Sequence, residues 1–216
     1  MDVCVASGYR YAPPEFPPQD DGMERPPVFS LDVLADRSLV KDVVKAVIST
    51  IFFHRFFPTV RPKTRDLLDL TLPAVDDAEL DELINQRTNV LIRSMEVSAG
   101  VGTKPQHGQV AVYTVEFYER RPKKNWFSKA EEKVCWEQWV LSVTVVSART
   151  DAERIKLRMS IEAQLQAAVL DIISTVSMKK DHIPPITTNE ANPFPYSIIV
   201  SPKGETWGAR MGIFSN

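Results

Sequence analysis

Cysteine is scarce in this chain: only Cys4 and Cys135 occur among its 216 residues. Two cysteines argue against a disulfide framework, and no CxxC pair of the kind found in structural zinc sites is present. The histidines, His54, His107 and His182, are scattered along the sequence. We therefore expect a protein of a reducing compartment that holds no metal and no other cofactor.

Glycine is also infrequent, with eight residues in all. Phosphate-binding loops depend on glycine, and the sequence contains neither GxxxxGK[ST] nor GxGxxG after a strand. It also lacks the HExxH spacing of zinc hydrolases and the GxSxG nucleophile elbow. Cys135 lies beside Trp136 in a strand pattern, which favours a structural thiol over a nucleophile. These observations predict that the protein is not an enzyme.

Long apolar runs and an excess of one charge are absent as well. The longest apolar-rich stretch, residues 43–57, is interrupted by Lys45, Ser49, His54 and Arg55, so it is too polar to span a bilayer. No signal peptide precedes it. The formal net charge is -2, which gives no overall attraction to a polyanion. We expect a soluble, cytoplasmic protein that does not bind nucleic acid.

Proline is plentiful instead, with 16 residues, and it is concentrated near the start of the chain. Residues 1–26 combine prolines with no apolar periodicity, so we expect them to form a disordered proline-rich tail. The remaining residues, 27–216, are long enough for one sizeable core and too few for two ordinary domains.

Apolar spacing in residues 27–216 predicts a mixture of strands and helices. Alternation predicts strands over 28–35, 68–72, 110–118, 136–147, 196–200 and 206–214. Helical spacing predicts a helix after Asp36, a second after Asp76, and a third of about 28 residues after Thr150. The core face expected for the third helix consists of Ile155, Met159, Leu165, Val169, Ile172, Ile173 and Val176. The pattern indicates an α+β fold with helices packed on a largely antiparallel sheet.

The segment 120–128 joins the two strongest strand patterns and carries Trp126 and Phe127 among basic residues. Each of these rings normally buries a large apolar area. The loop therefore either folds back onto its own domain or presents the rings to a partner. The basic residues would also allow a weak, reversible contact with an anionic membrane.

His54 and Arg55 end the first predicted helix. The simple interpretation is a favourable placement of positive charge at the negative end of the helix dipole. The functional interpretation is a polar contact at a protein interface.

Several motifs follow one another in a recognisable order: Val115-Glu116-Phe117-Tyr118, then Trp126-Phe127-Ser128, Cys135-Trp136-Glu137-Gln138-Trp139 and Val143-Thr144-Val145-Val146. This series resembles the central part of the autophagy-related protein 101 family. The first helix ending in Phe53-His54-Arg55 fits the same family, and the resemblance extends over about residues 28–214. The better-known family members place a proline between the Trp and the Phe, which are adjacent here.

The resemblance implies a HORMA domain, with three helices on one side of a mostly antiparallel sheet and a projecting hairpin loop. It also implies a non-catalytic scaffold or adaptor subunit of the autophagy-initiating kinase complex, located at the preautophagosomal structure. Such a subunit forms a heterodimer with the HORMA domain of autophagy-related protein 13 and stabilises it. The recruitment finger for downstream autophagy factors would be Trp126 and Phe127, and our candidate for the HORMA-partner interface is His54 with Arg55. The alternative is a HORMA adaptor outside autophagy that grips a peptide by strand addition.

Overall fold

The structure is a computed structural model that describes residues 25–57, 61–98, 109–122, 131–187 and 193–202. These ranges hold, in chain order, β1 (Val28–Asp36), α1 (Val40–Arg55), β2 (Pro62–Leu67), β3 (Leu70–Val75), α2 (Ala78–Ser98), β4 (Gln109–Pro122), β5 (Glu131–Val146), α3 (Asp151–Met178) and β6 (Tyr196–Pro202). Most of the predicted tail and all of the predicted strand 206–214 lie outside the described residues.

The main sheet has the strand order β1-β5-β4-β6. The central pair, β4 and β5, forms a long antiparallel hairpin that runs from Gln109 opposite Val145 to Pro122 opposite Glu131. On either side of it, β6 pairs antiparallel with β4, whereas β1 pairs parallel with β5. The described ranges place three helices beside this sheet, so the predicted α+β HORMA fold with a mostly antiparallel sheet is confirmed.

Alternation along the two central strands creates the core face of the sheet. On β4 the alternating buried residues are Ala111, Tyr113, Val115 and Phe117, and on β5 they are Glu137, Trp139, Leu141, Val143 and Val145; Thr114 and Trp136 are buried as well. Successive side chains of a strand point to opposite faces, so every second residue faces the helices. One member of this inward row, Glu137, is charged, and its environment is described below.

Helix α1 is the central helix of the core. Its residues from Val43 to Phe52 are buried except for the half-buried Lys45, so the helix is enclosed on nearly all sides. A helix that is apolar almost all round belongs in an interior position rather than on a surface. It contacts β3, α2 and α3, and it ends at Arg55.

The predicted strand at 68–72 is confirmed only in part, because the strand there, β3, begins at Leu70. The structure has a hairpin there, β2 with β3, and the turn falls on Leu68 and Asp69. Leu68 adopts a φ of 56°, a left-handed conformation that turns usually give to glycine or asparagine. Because Leu68 continues the apolar alternation of Leu70 and Leu72, the sequence pattern gives no sign of a turn at this position.

Helix α3 begins after Thr150 and is 28 residues long, both as predicted, and Thr150 with Glu153 forms a capping box at its start. Its predicted core face is only partly correct. Leu165, Val169, Ile172 and Val176 are buried, whereas Ile155, Met159 and Ile173 are exposed. Consecutive helix residues are about 100° apart, so Ile172 and Ile173 cannot both face the core.

Candidate functional site

Trp126 and Phe127, the predicted recruitment finger, lie outside the described residues. The described part of β4 stops at Pro122 and that of β5 resumes at Glu131, and these two residues are paired at the last rung of the ladder. The finger sequence is therefore connected to the distal end of the longest hairpin. Its recruiting role stays a prediction.

Arg55 differs from the exposed interface residue that the sequence suggested. Its side chain is 3% exposed, and its Nε donates to both carboxylate oxygens of Glu137, at 2.8 and 2.9 Å. Its Nη2 also donates to the backbone oxygen of Lys179 at 3.0 Å. The Arg55 side chain is therefore held in an internal ion pair and is not available for a direct contact at the surface.

The carboxylate of Glu137 is fully buried and is shared by three side chains. Besides Arg55, the indole Nε1 of Trp139 donates to Oε1 at 2.5 Å, and His182 Nε2 lies 2.7 Å from Oε2. We call Arg55, Glu137, Trp139 and His182 the Glu137 cluster. A buried carboxylate without partners is very costly, and here both oxygens are satisfied.

Aromatic rings surround this cluster. Phe29 packs on Trp139 with a ring-centroid distance of 4.8 Å, and the His182 ring lies 5.8 Å from Trp136 and 6.1 Å from Phe29. Rings at these distances exclude water and lower the local dielectric, which strengthens the ion pair and raises the cost of breaking it.

The Glu137 cluster joins segments that are distant in sequence. Arg55 is the last residue of α1, Glu137 and Trp139 lie on β5, and His182 follows the end of α3. Lys179 is the C-terminal cap of α3, where helix carbonyls lack partners within the helix, and Arg55 supplies one. The cluster therefore fixes the ends of α1 and α3 against the centre of the sheet.

The imidazole of His54, the other predicted interface residue, is half-buried and packs on Phe53 at a ring-centroid distance of 5.2 Å. Desolvation, and then the positive charge of Arg55, lower the pKa of His54 below its usual value. The ring is therefore neutral at physiological pH. Its part in a partner interface stays a prediction.

A second feature is an unburied row of apolar residues on α3. Ile155 is 64% exposed, Met159 68%, Leu170 58% and Ile173 39%. Their spacing places them on one side of the helix, away from the buried face formed by Leu165, Ile172 and Val176. We call these four residues the α3 stripe. Single exposed apolar residues are ordinary, but an aligned set of large ones marks an interaction surface.

Catalytic chemistry finds little support among the described residues. Burial raises the pKa of the Cys135 thiol to about 11, so it is protonated at neutral pH and is a poor nucleophile. No group of three or more potential metal ligands occurs in the described ranges. None of the helices described is both long and apolar enough to cross a membrane.

Glu137→Gln tests whether the Glu137 cluster stabilises the fold. The substitution keeps the shape of the side chain but leaves the buried charge of Arg55 uncompensated, so we expect the free energy of unfolding to fall by about 3 kcal/mol or more. Urea denaturation followed by circular dichroism measures it. Glu131→Gln, at an exposed position of the same strand, is the control and should change stability by less than about 0.5 kcal/mol. Equal stabilities of the two variants would contradict this role.

Comparison with known proteins gives a consistent result. Residues 32–190 match the family described as autophagy-related protein 101. Autophagy-related protein 101 of Schizosaccharomyces pombe is 34% identical over 169 residues, which cover 78% of this chain and 83% of that protein. The Arabidopsis thaliana protein of that name is 27% identical over 168 residues, covering 68% and 74%. The Homo sapiens protein is 24% identical over 173 residues, covering 73% and 75%. This chain therefore belongs to the autophagy-related protein 101 family.

Proposed function

We propose that this chain is a non-catalytic scaffold subunit of the autophagy-initiating kinase complex and that it pairs with, and stabilises, the HORMA domain of autophagy-related protein 13. Its family supports a role in autophagy. The observation that carries the proposal is the α3 stripe, because a row of large apolar side chains on a well-anchored helix is a surface suited to a folded protein partner.

The size of the α3 stripe is appropriate for such a partner. Complete burial of one large aliphatic side chain contributes about 1.5–3 kcal/mol, and these four are on average a little more than half exposed, so covering them contributes roughly 3–7 kcal/mol before the cost of association. By helical spacing, Lys156 and Glu162 flank the stripe on opposite sides and would form part of a polar rim. An apolar centre with a charged border is the usual anatomy of a protein interface.

The predicted contribution of the end of α1 to the partner surface now rests on His54. Arg55 acts on that surface only indirectly, because its guanidinium is engaged with Glu137 and Lys179. A neutral, half-buried imidazole is suited to an apolar interface, since it would not bring a charge that must be desolvated.

Charge placed in the α3 stripe should disrupt this pairing without unfolding the chain. We expect Met159→Glu/Leu170→Glu to weaken binding to the HORMA domain of autophagy-related protein 13 at least about 100-fold in titration calorimetry, equivalent to about 2.7 kcal/mol. The melting temperature of the free chain should hardly change, because both positions are solvent-exposed. Ala167→Glu, at an exposed position of α3 outside the stripe, is the matched control. If the double variant binds as tightly as this control, the stripe is not the partner surface.

The recruiting role of Trp126 and Phe127 is a separable part of the proposal. The double substitution Trp126→Ala/Phe127→Ala should leave folding and heterodimer formation intact while abolishing recruitment of downstream autophagy factors, measured by co-precipitation from cells. Lys123→Ala/Lys124→Ala is the matched control for the neighbouring charges. A drop in the melting temperature of the aromatic variant would instead indicate that the rings pack on their own domain.

A further inference from the structure

Strand β1 is an edge strand of the main sheet. Within the described residues it pairs with β5 on one side only, and α3 runs along its other side. A free strand edge presents unpaired backbone donors and acceptors, which proteins either cover or use for binding.

The covering of this edge is uneven along its length. Near the end of β1, the backbone N–H of Leu34 donates to the side-chain oxygen Oε1 of Gln164 on α3 at 3.0 Å. Gln164 thus takes the place that a neighbouring strand would occupy. Backbone groups alternate sides along a strand, so the N–H and C=O groups of Ser30, four residues earlier, point to the same free side as those of Leu34.

A cavity of about 300 Å³ opens where the edge is not covered by Gln164. Its strand side is Val28–Leu31, and its α3 side consists of Asp171, Ser174 and Thr175. The Trp139 ring also lines it, packed against Phe29. Four strand residues span about 13 Å, so the cavity is a short groove between a strand edge and a helix. We call it the β1–α3 groove.

The chemistry of the lining indicates the kind of ligand. Backbone groups of β1 that point away from β5 favour an extended chain, and the hydroxyls of Ser174 and Thr175 add polar contacts across the groove. Asp171 is the one charged side chain in the described lining, and it lies on the exposed side of α3.

We propose that the β1–α3 groove binds a short extended peptide with basic residues, which adds as a strand to β1 at Val28–Leu31 and pairs a Lys or Arg with Asp171. The peptide would belong to a partner protein, and Asp171 supplies the negative charge that complements its Lys or Arg. This site is distinct from the α3 stripe and goes beyond the proposed heterodimer.

Two synthetic octapeptides, acetylated and amidated, test the proposal on the full chain: alternating Val and Lys, and alternating Val and Glu. Binding of each peptide is measured by fluorescence anisotropy at about 0.15 M salt, a concentration that screens long-range electrostatic attraction. We expect saturable binding of the Val-Lys peptide, at least tenfold tighter than that of the Val-Glu peptide. Failure of the Val-Lys peptide to saturate, or equal binding of both peptides, would overturn the proposal.

Three variants locate the binding. Asp171→Lys should reverse the charge preference. Ser30→Pro removes one edge N–H and should weaken Val-Lys binding at least tenfold, while an edge position tolerates proline. Ala152→Arg, at an exposed position in the first turn of α3 and about five helical turns before Asp171, should leave peptide selectivity unchanged. Binding that persists unaltered in Asp171→Lys and Ser30→Pro would mean that the peptide attaches elsewhere, and the groove assignment would be wrong. Titration against autophagy-related protein 13 is a separate assay, so the two proposals fail independently.

Discussion

The buried carboxylate of Glu137 is the contact on which much of the architecture depends. It has no solvent exposure, and Arg55, Trp139 and His182 together satisfy its two oxygens. A buried ion pair contributes little net stability compared with an apolar substitute, but losing one partner is expensive. The fold is therefore confined to arrangements in which the last residue of α1, the centre of β5 and the chain after α3 meet at this point.

This constraint has a consequence for the outer surface. Arg55 also binds the carbonyl of Lys179 at the C-terminal cap of α3, so the end of the longest helix is fixed relative to the sheet. A helix held in this way presents its remaining faces in fixed directions. One face carries the α3 stripe, and another closes the groove beside β1. The interaction surfaces therefore depend on a charged contact in the core that neither surface contains.

Much of this arrangement was accessible from the sequence. Strong alternation predicted β4 and β5, and the capping box located the start of α3, because both signals are local. The β2–β3 hairpin was missed because Leu68 occupies a turn position while continuing an apolar pattern. Ile155, Met159 and Ile173 of the α3 stripe were assigned to the core because periodicity shows that residues are apolar without showing what covers them. The Glu137 cluster joins residues 82 and 45 positions apart, a distance at which local patterns carry no information. One signal was present, since Glu137 occupies an inward position in an apolar row of β5.

The central claim is that the α3 stripe faces the partner. The most direct test is whether the partner protects a methionine of the stripe from oxidation. Met159 in the stripe and Met178 at the end of α3 are 68% and 69% exposed, so dilute hydrogen peroxide should oxidise them at similar rates in the free chain. In the complex with the HORMA domain of autophagy-related protein 13, we expect oxidation of Met159 to slow at least tenfold, as measured by peptide mass spectrometry. Oxidation of Met159 at its free rate in a saturated complex would contradict the claim.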